Sequence, residues 1–221
     1  MTYLITGVFL LGGAATARNW RYGLFFCIVV GFLQDPLRKL LPGQPVYATM
    51  LVGVFFAFAL AVMLMQRVPV RLVHLYGHDN VLKNAWYAFI FLIIVQSLHS
   101  MVRYGSPVIP LFGLVASLAP LAAVIMARVF ASSEQAIFRF LLVYLIFAIP
   151  FSFSVYLSYW VGDQWDVLKE VGAFIDQQLI IYDMGGILYS NSGLFRTGEV
   201  AAWHAAMASI VLMIFASINR S

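Results

Sequence analysis

The sequence predicts an all-α fold, a polytopic bundle of about seven transmembrane helices, and three observations predict it. Of 221 residues, 63% are hydrophobic and only 10% charged, where a soluble domain carries about 25% charged residues. The mean hydropathy is +0.92. The apolar residues fall into runs of roughly 17–25, the length that crosses a hydrocarbon core as a helix. These runs are rich in Leu, Phe, Val and Ala and lack the alternating ten-residue pattern of membrane barrels, so the backbone must satisfy itself helically in lipid.

Taken in order, the spans fall at 3–17, 20–35, 46–66, 82–102, 108–130, 137–161 and 199–218. The first resembles a secretory signal in its small-residue stretch "GGAATA", but its charges follow the run instead of preceding it, so it reads as a true span. After the second span comes "FLQDPLRKLLPGQPVY", punctuated by Pro36, Pro42 and Pro45. The residue before each proline is biased away from helix, so the chain is expected to leave the membrane near Gln34 and to turn at "PGQP". Pro150 is expected to kink the sixth span, with Ser152 and Ser154 nearby to satisfy freed carbonyls. All of 1–221 reads as a single transmembrane domain.

The longest segment between spans is 162–198. Trp165, Val167, Leu168, Val171, Phe174, Ile175, Leu179 and Ile180 recur there at roughly helical spacing among Asp, Glu and Gln. That pattern predicts an amphipathic helix on the bilayer surface or over a cavity. The following "DMGGILYSNSG" predicts a turn-forming loop.

Orientation follows from the basic residues. Arg18, Arg21, Arg67, Arg71, Lys83, Arg128, Arg139 and Arg220 fall on one side, and Arg38, Lys39, Arg103, Lys169 and Arg196 on the other. The first, larger set is assigned to the cytoplasm. The second side also carries most of the acidic residues and reads as extracytoplasmic. The formal net charge of +4 is spread singly over span ends, so no basic stripe exists for nucleic acid. A lone cysteine, Cys27, excludes a disulfide framework and a cysteine metal site.

The candidate chemistry clusters at the start of the last span, in "NSGLFRTGEVAAWHAA". Thr197 is placed to cap the helix, and Glu199 suits its first turn. Arg196 and Glu199 stand three apart, a spacing that permits a local ion pair. His204 lies about 10 Å below the helix start, at hydrocarbon depth, where ionisable groups face a bundle interior or a wet cavity. A neutral histidine bonded to a neighbouring helix is the structural alternative. Arg196, Glu199 and His204 are the candidate catalytic residues.

Asp35 and Arg38 repeat the three-residue spacing on the same face, where surface pairing and snorkelling would account for them. Arg38, Lys39, Arg103 and Arg196 are expected at one membrane level, and guanidinium groups there suit bidentate binding of a lipid-linked phosphate. His99, four residues before Arg103, is spaced to face the same way, with hydrogen bonding to a neighbouring helix as its structural alternative. Arg38, Arg103, Arg196 and His99 are therefore the candidate substrate-binding residues. His74 and His78 stand four apart but have no further ligand pattern, so no metal is implied. Phosphate-cradling and dinucleotide-binding glycine motifs, zinc-protease and serine-hydrolase motifs are all missing, and no cofactor is implied.

On "FLQDPLRKLLPGQP" and "GLFRTGEVAAWHAA", the chain resembles the N-terminal half of bacterial O-antigen ligase and O-antigen polymerase-like membrane proteins. The resemblance implies a polytopic glycosyltransferase of the bacterial inner membrane that uses undecaprenyl-pyrophosphate-linked glycans. Arginines on its extracytoplasmic face would hold the pyrophosphate, with Arg196 the best match and Arg38 the next. On that expectation Glu199 or His204 assists proton transfer. Family members are longer and carry a second large extracytoplasmic loop, so the chain reads either as the N-terminal part of a longer protein or as a shortened relative. The alternative is a non-catalytic integral membrane subunit whose amphipathic loop and aromatic residues dock a larger membrane complex. A transporter would need broken helices or inverted repeats, and neither is evident.

Overall fold

A computed structural model describes residues 2–68, 79–161, 164–169, 180–183, 186–189 and 191–218. Among these residues there are seven α-helices: α1 (Thr2–Arg18), α2 (Trp20–Leu40), α3 (Leu51–Met65), α4 (Asn80–Tyr104), α5 (Val108–Phe130), α6 (Glu134–Val161) and α7 (Gly198–Ile218). Each expected span overlaps one of them. Five helical stretches are long and apolar enough to cross a membrane: Ala48–Met65, which joins the turn before α3 to α3, Asn80–Tyr104, Gly113–Phe130, Glu134–Val161 and Gly198–Ile218. Large apolar side chains are exposed along these helices, Val102 by 85% and Trp160 by 65%. Water would penalise such surfaces, whereas lipid tails accept them. The chain is a helical integral membrane protein.

Helix ends follow local chemistry. Asn19 caps α2 by accepting from the Arg21 amide at 3.0 Å. Asp79 caps α4 through the Val81 and Leu82 amides at 2.8 and 3.2 Å. Gly105, at φ 61°, closes α4 in the left-handed conformation that glycine adopts without steric cost.

Two expectations about chain path are corrected. The second helix does not end near Gln34 but continues through Pro36 to Leu40. Proline removes one i to i−4 hydrogen bond, here to the Phe32 carbonyl, and tertiary bonds made by Asp35 and Lys39, on either side of it, offset that loss. The turn at "PGQP" does form, with Gly43 at φ 73° and Gln44 at φ 45°. It leads through a 3-10 turn, Val46–Met50, into α3.

The second correction concerns the amphipathic helix expected from Trp165. Asp166–Leu168 form only a 3-10 turn, Lys169 is extended, and Ile180–Asp183 is a strand (β1). That strand pairs antiparallel with β2 (Gly186–Tyr189), Ile180 opposite Tyr189 and Asp183 opposite Gly186. Strand pairing thus takes the place of the helix end expected at Ile180 and of the loop expected at Gly186–Tyr189, in segments rich in residue types that favour strands. Residues 170–179 of the expected helix, and His74 and His78, lie outside the described residues.

The described chain separates into two compact units, one of residues 1–63 with 138–221 and one of residues 64–137. In the second, α4 and α5 pack as an antiparallel pair joined by the short Gly105 turn. In the first, α1 and α2 pack closely where Gly23 faces α1 and α3. A Cβ there would lie 2.6 Å from Thr16 Cγ2 and 2.7 Å from Ala59 Cβ. The core of this unit joins α2, α6 and α7 through Phe32, Leu145, Ala148, Phe151, Phe195, Ala201, Ala208 and Val211. Small residues on α7 let it approach its neighbours, the usual means of helix packing in lipid.

Pro150 lies inside α6, as expected. Ser154 donates to the Phe151 carbonyl, but Ser152 Oγ is buried without a partner among the described residues, so only one of the two serines serves the backbone. Ser154 has a further role. Gly193, at φ 57°, crosses α6 so closely that a Cβ would lie 2.5 Å from both Ser154 Oγ and the Val155 nitrogen. Gly193→Ala is expected to destabilise the first unit by about 1–3 kcal/mol, since it combines left-handed strain with a backbone clash. Thermal unfolding in detergent checks this, and a transition matching wild type would contradict it.

Candidate functional site

The segment from Ser192 to Thr197 carries the chain from the hairpin into α7, and almost every residue in it is tied to a neighbouring helix. Lys39, in the last turn of α2, donates from Nζ to Ser192 Oγ at 3.1 Å and to the Gly193 carbonyl at 2.7 Å. Lys39 and Ser192 are only 5% and 1% exposed. The Leu194 amide donates to Ser154 Oγ at 2.8 Å, and the Phe195 amide to the Ser192 carbonyl at 3.0 Å. The Arg196 amide donates to Asp35 Oδ2 at 3.1 Å. Thr197 sits at the start of α7, with its Oγ1 3.5 Å from the Val200 amide and its carbonyl accepting from the Ala201 amide at 3.2 Å. Glu199 is in the first turn of α7, as expected.

Phe195 anchors the segment hydrophobically. Its ring lies 5.5 Å from Phe151 and 6.2 Å from Phe32, and it stacks on the His204 imidazole at 5.0 Å with 13° between planes. His204 also lies 4.8 Å from Phe32 and, edge to face, 4.8 Å from Trp203. Tyr144 on α6 places its hydroxyl 3.0 Å from His204 Nδ1. With Tyr144 as donor, the imidazole carries its proton on Nε2. The bond to a neighbouring helix is the structural role considered for this histidine, and it coexists with a place on a cavity wall.

That cavity has a volume of about 380 Å³ and is lined by Gly31, Gln34 and Asp35 of α2, by Arg196, and by Glu199, Val200, Trp203 and His204 of α7. Arg196 and Glu199 are exposed, Trp203 by 59%, and His204 is half-buried. Asp35 is only 4% exposed. The cavity thus runs from a charged mouth to a buried carboxylate. It brings together Arg196, Glu199 and His204, which sequence spacing places on one helix end.

Two expected side-chain pairings, Arg196 with Glu199 and Asp35 with Arg38, do not form among the described residues. Among the described residues the ion pair present is Lys169 with Asp166, at 2.9 Å. Arg196 and Glu199 are not paired, which leaves the guanidinium without a carboxylate partner there. Asp35 and Arg38 do not pair on the surface either. Asp35 turns inward to the Arg196 amide, while Arg38 Nε donates to the Gln44 carbonyl at 2.9 Å and braces the "PGQP" turn. Arg38 is not among the residues lining the cavity. Arg103 and His99 belong to the second unit, where both are exposed and Arg103 lies 5.6 Å over the Tyr104 ring.

Gln34, Lys39, Ser192 and Tyr144 were not candidates by spacing. A signal for two of the polar groups does exist. Asp35 and Lys39 are four apart, and so on one helical face, at the end of an apolar run. A carboxylate and an ammonium sharing a face that also presents Phe32 point inward.

No family model, curated protein or solved structure matches the chain. The class its fold defines is that of a helical integral membrane protein with a polar cavity at one end of α2 and α7. Lys39→Met, which keeps the stem but removes the ammonium, is expected to cost about 1.5–3 kcal/mol, the range for hydrogen bonds to a charged group. It should also admit protease to residues 190–197 at concentrations that leave wild type intact. Limited proteolysis in nanodiscs reads both effects, and unchanged protection would argue against the anchor.

Proposed function

We propose that this chain is an O-antigen ligase or polymerase-like membrane protein of the bacterial inner membrane, and that its cavity binds an undecaprenyl-pyrophosphate-linked glycan on the extracytoplasmic face. The observation that carries the reading is the meeting of three chemistries at one cavity: the Arg196 guanidinium, the Glu199 carboxylate and the His204 imidazole. Transfer of a glycan from a diphosphate requires such a mixture. The leaving diphosphate needs a cation, and the attacking hydroxyl needs a base.

In this reading Arg196 offers its fork of donors to the diphosphate at headgroup level, aided by the positive end of α7. An acceptor hydroxyl attacks the anomeric carbon, and the bond from that carbon to the diphosphate oxygen breaks with its electron pair remaining on the diphosphate. The hydroxyl proton passes to Glu199, with His204 Nε2 deeper in the same cavity as the hydrogen-bonding partner of the sugar oxygens. Arg38 acts indirectly by bracing the turn after α2. Arg103 and His99 have no assigned step.

Arg196→Ala is expected to weaken binding of undecaprenyl diphosphate roughly 10- to 100-fold, the equivalent of about 1.5–3 kcal/mol for a hydrogen-bonded charge. Titration of the purified chain in nanodiscs measures it. In cells the same substitution should abolish polymer formation while expression and membrane insertion persist. Wild-type polymer levels in that variant would end the proposal.

A further inference from the structure

Two buried oxygens on α2, Gln34 Oε1 and Asp35 Oδ1, have no hydrogen-bond donor among the described residues, and both belong to side chains that line the cavity. A buried acceptor left without a donor is unfavourable, so two adjacent ones on one cavity wall mark a place where a ligand completes the bonding. Asp35 is more than nine-tenths buried, and its other oxygen is already taken by the Arg196 amide. Its free oxygen is therefore fixed in place by the bond that its partner oxygen makes to the Arg196 amide just before α7.

The nature of the missing donor follows from the surrounding charge. Lys39, Arg38 and Arg196 all lie within electrostatic reach of Asp35. These cations already supply positive charge around the carboxyl, and what remains vacant is a hydrogen bond. Gln34 Oε1 is a neutral acceptor with the same vacancy. A neutral donor, a hydroxyl or an amide N–H, fills both positions without importing a further cation beside Lys39 and Arg196. The exposed Trp203 indole adds an apolar wall to the same cavity. A compact body with apolar C–H faces and several hydroxyls around its rim meets all of these demands, and a sugar ring has that chemistry.

We propose that Gln34 and Asp35 form a sugar-reading subsite, in which their free oxygens accept hydrogen bonds from the hydroxyl or amide donors of the sugar attached directly to the diphosphate. The inference rests on the reading that Arg196 holds that diphosphate. Gln34 and Asp35 are specificity-determining residues in this scheme. A site whose buried acceptors are left unpaired discriminates strongly against a ligand lacking the matching donors.

The test compares ligands with and without the sugar. The full chain is placed in phosphatidylcholine nanodiscs and titrated with undecaprenyl diphosphate and with undecaprenyl diphosphate carrying glucose, galactose, N-acetylglucosamine or N-acetylgalactosamine. Wild type is expected to bind at least one sugar-bearing lipid ten or more times more tightly than the bare diphosphate. Gln34→Met removes one acceptor at similar volume. Asp35→Asn keeps an oxygen for the Arg196 amide but turns the vacant acceptor into a donor. In each variant the ratio between the sugar-bearing and bare lipids should fall below about threefold, since one fixed hydrogen bond is lost from the sugar alone. Because Gln34 takes no part in anchoring the segment before α7, its variant separates sugar reading from folding.

A wild-type protein that binds every lipid equally, or a preference that survives both substitutions, overturns the subsite. If the bare diphosphate still binds in an Arg196-dependent manner in that case, the assignment of Arg196 stands. If no lipid of the panel binds wild type at all, the diphosphate reading fails and the sugar subsite falls with it.

Discussion

An ammonium group buried at the end of α2 governs the arrangement of everything near the cavity. Taking Lys39 out of water is costly, and burial is tolerated only where oxygen atoms replace its hydration. The Ser192 hydroxyl and the Gly193 carbonyl do so, and the last turn of a helix is the end at which a positive charge is favourable. Since both oxygens lie more than a hundred and fifty residues away in sequence, the requirement of one side chain brings the end of α2 and the approach to α7 together. Gly193 is the only residue type that suits its position, where left-handed backbone and contact with α6 coincide.

From that fixed crossing the chain has little freedom. Ser154 receives the Leu194 amide, the aromatic cluster receives Phe195, and Asp35 receives the Arg196 amide. A helix start has amides with no partner inside the helix, and side chains from neighbouring helices supply partners just upstream of this one. The cavity is a consequence of this docking. Its walls are two helix ends, and His204 on one of them packs against Phe32 and Phe195 of the hydrophobic core.

Hydrophobic run length was sufficient to locate the helices, because in lipid an apolar stretch of span length has few alternatives to a helix. Local rules failed where tertiary bonds outweigh them. Pro36 argues for a helix end at Gln34, yet partners for Asp35 and Lys39 carry α2 onward to Leu40. The hydrophobic spacing after Trp165 fits a helix, but Lys169 is extended and Ile180 lies in a hairpin, since a run of mixed residues can satisfy two periods at once. Within the site, Arg196, Glu199 and His204 were legible as polar residues on one end of one helix. Their companions on α2 were legible only in part: the four-residue spacing sets Asp35 and Lys39 on the Phe32 face, but it does not show that Asp35 turns to the Arg196 amide or that Lys39 meets Ser192.

The manner in which Arg196 is held has an evolutionary consequence. Asp35 grips the main chain at position 196, and the guanidinium makes no bond to another described side chain. The scaffold therefore recognises that a residue is present there, without regard to which one. Position 196 is a socket whose occupant can be exchanged with little disturbance to the helices around it, so related chains can retune the charge at the cavity mouth while inheriting the same architecture. Position 193 has no such latitude, and drift in this segment should be sharply uneven over a distance of three residues.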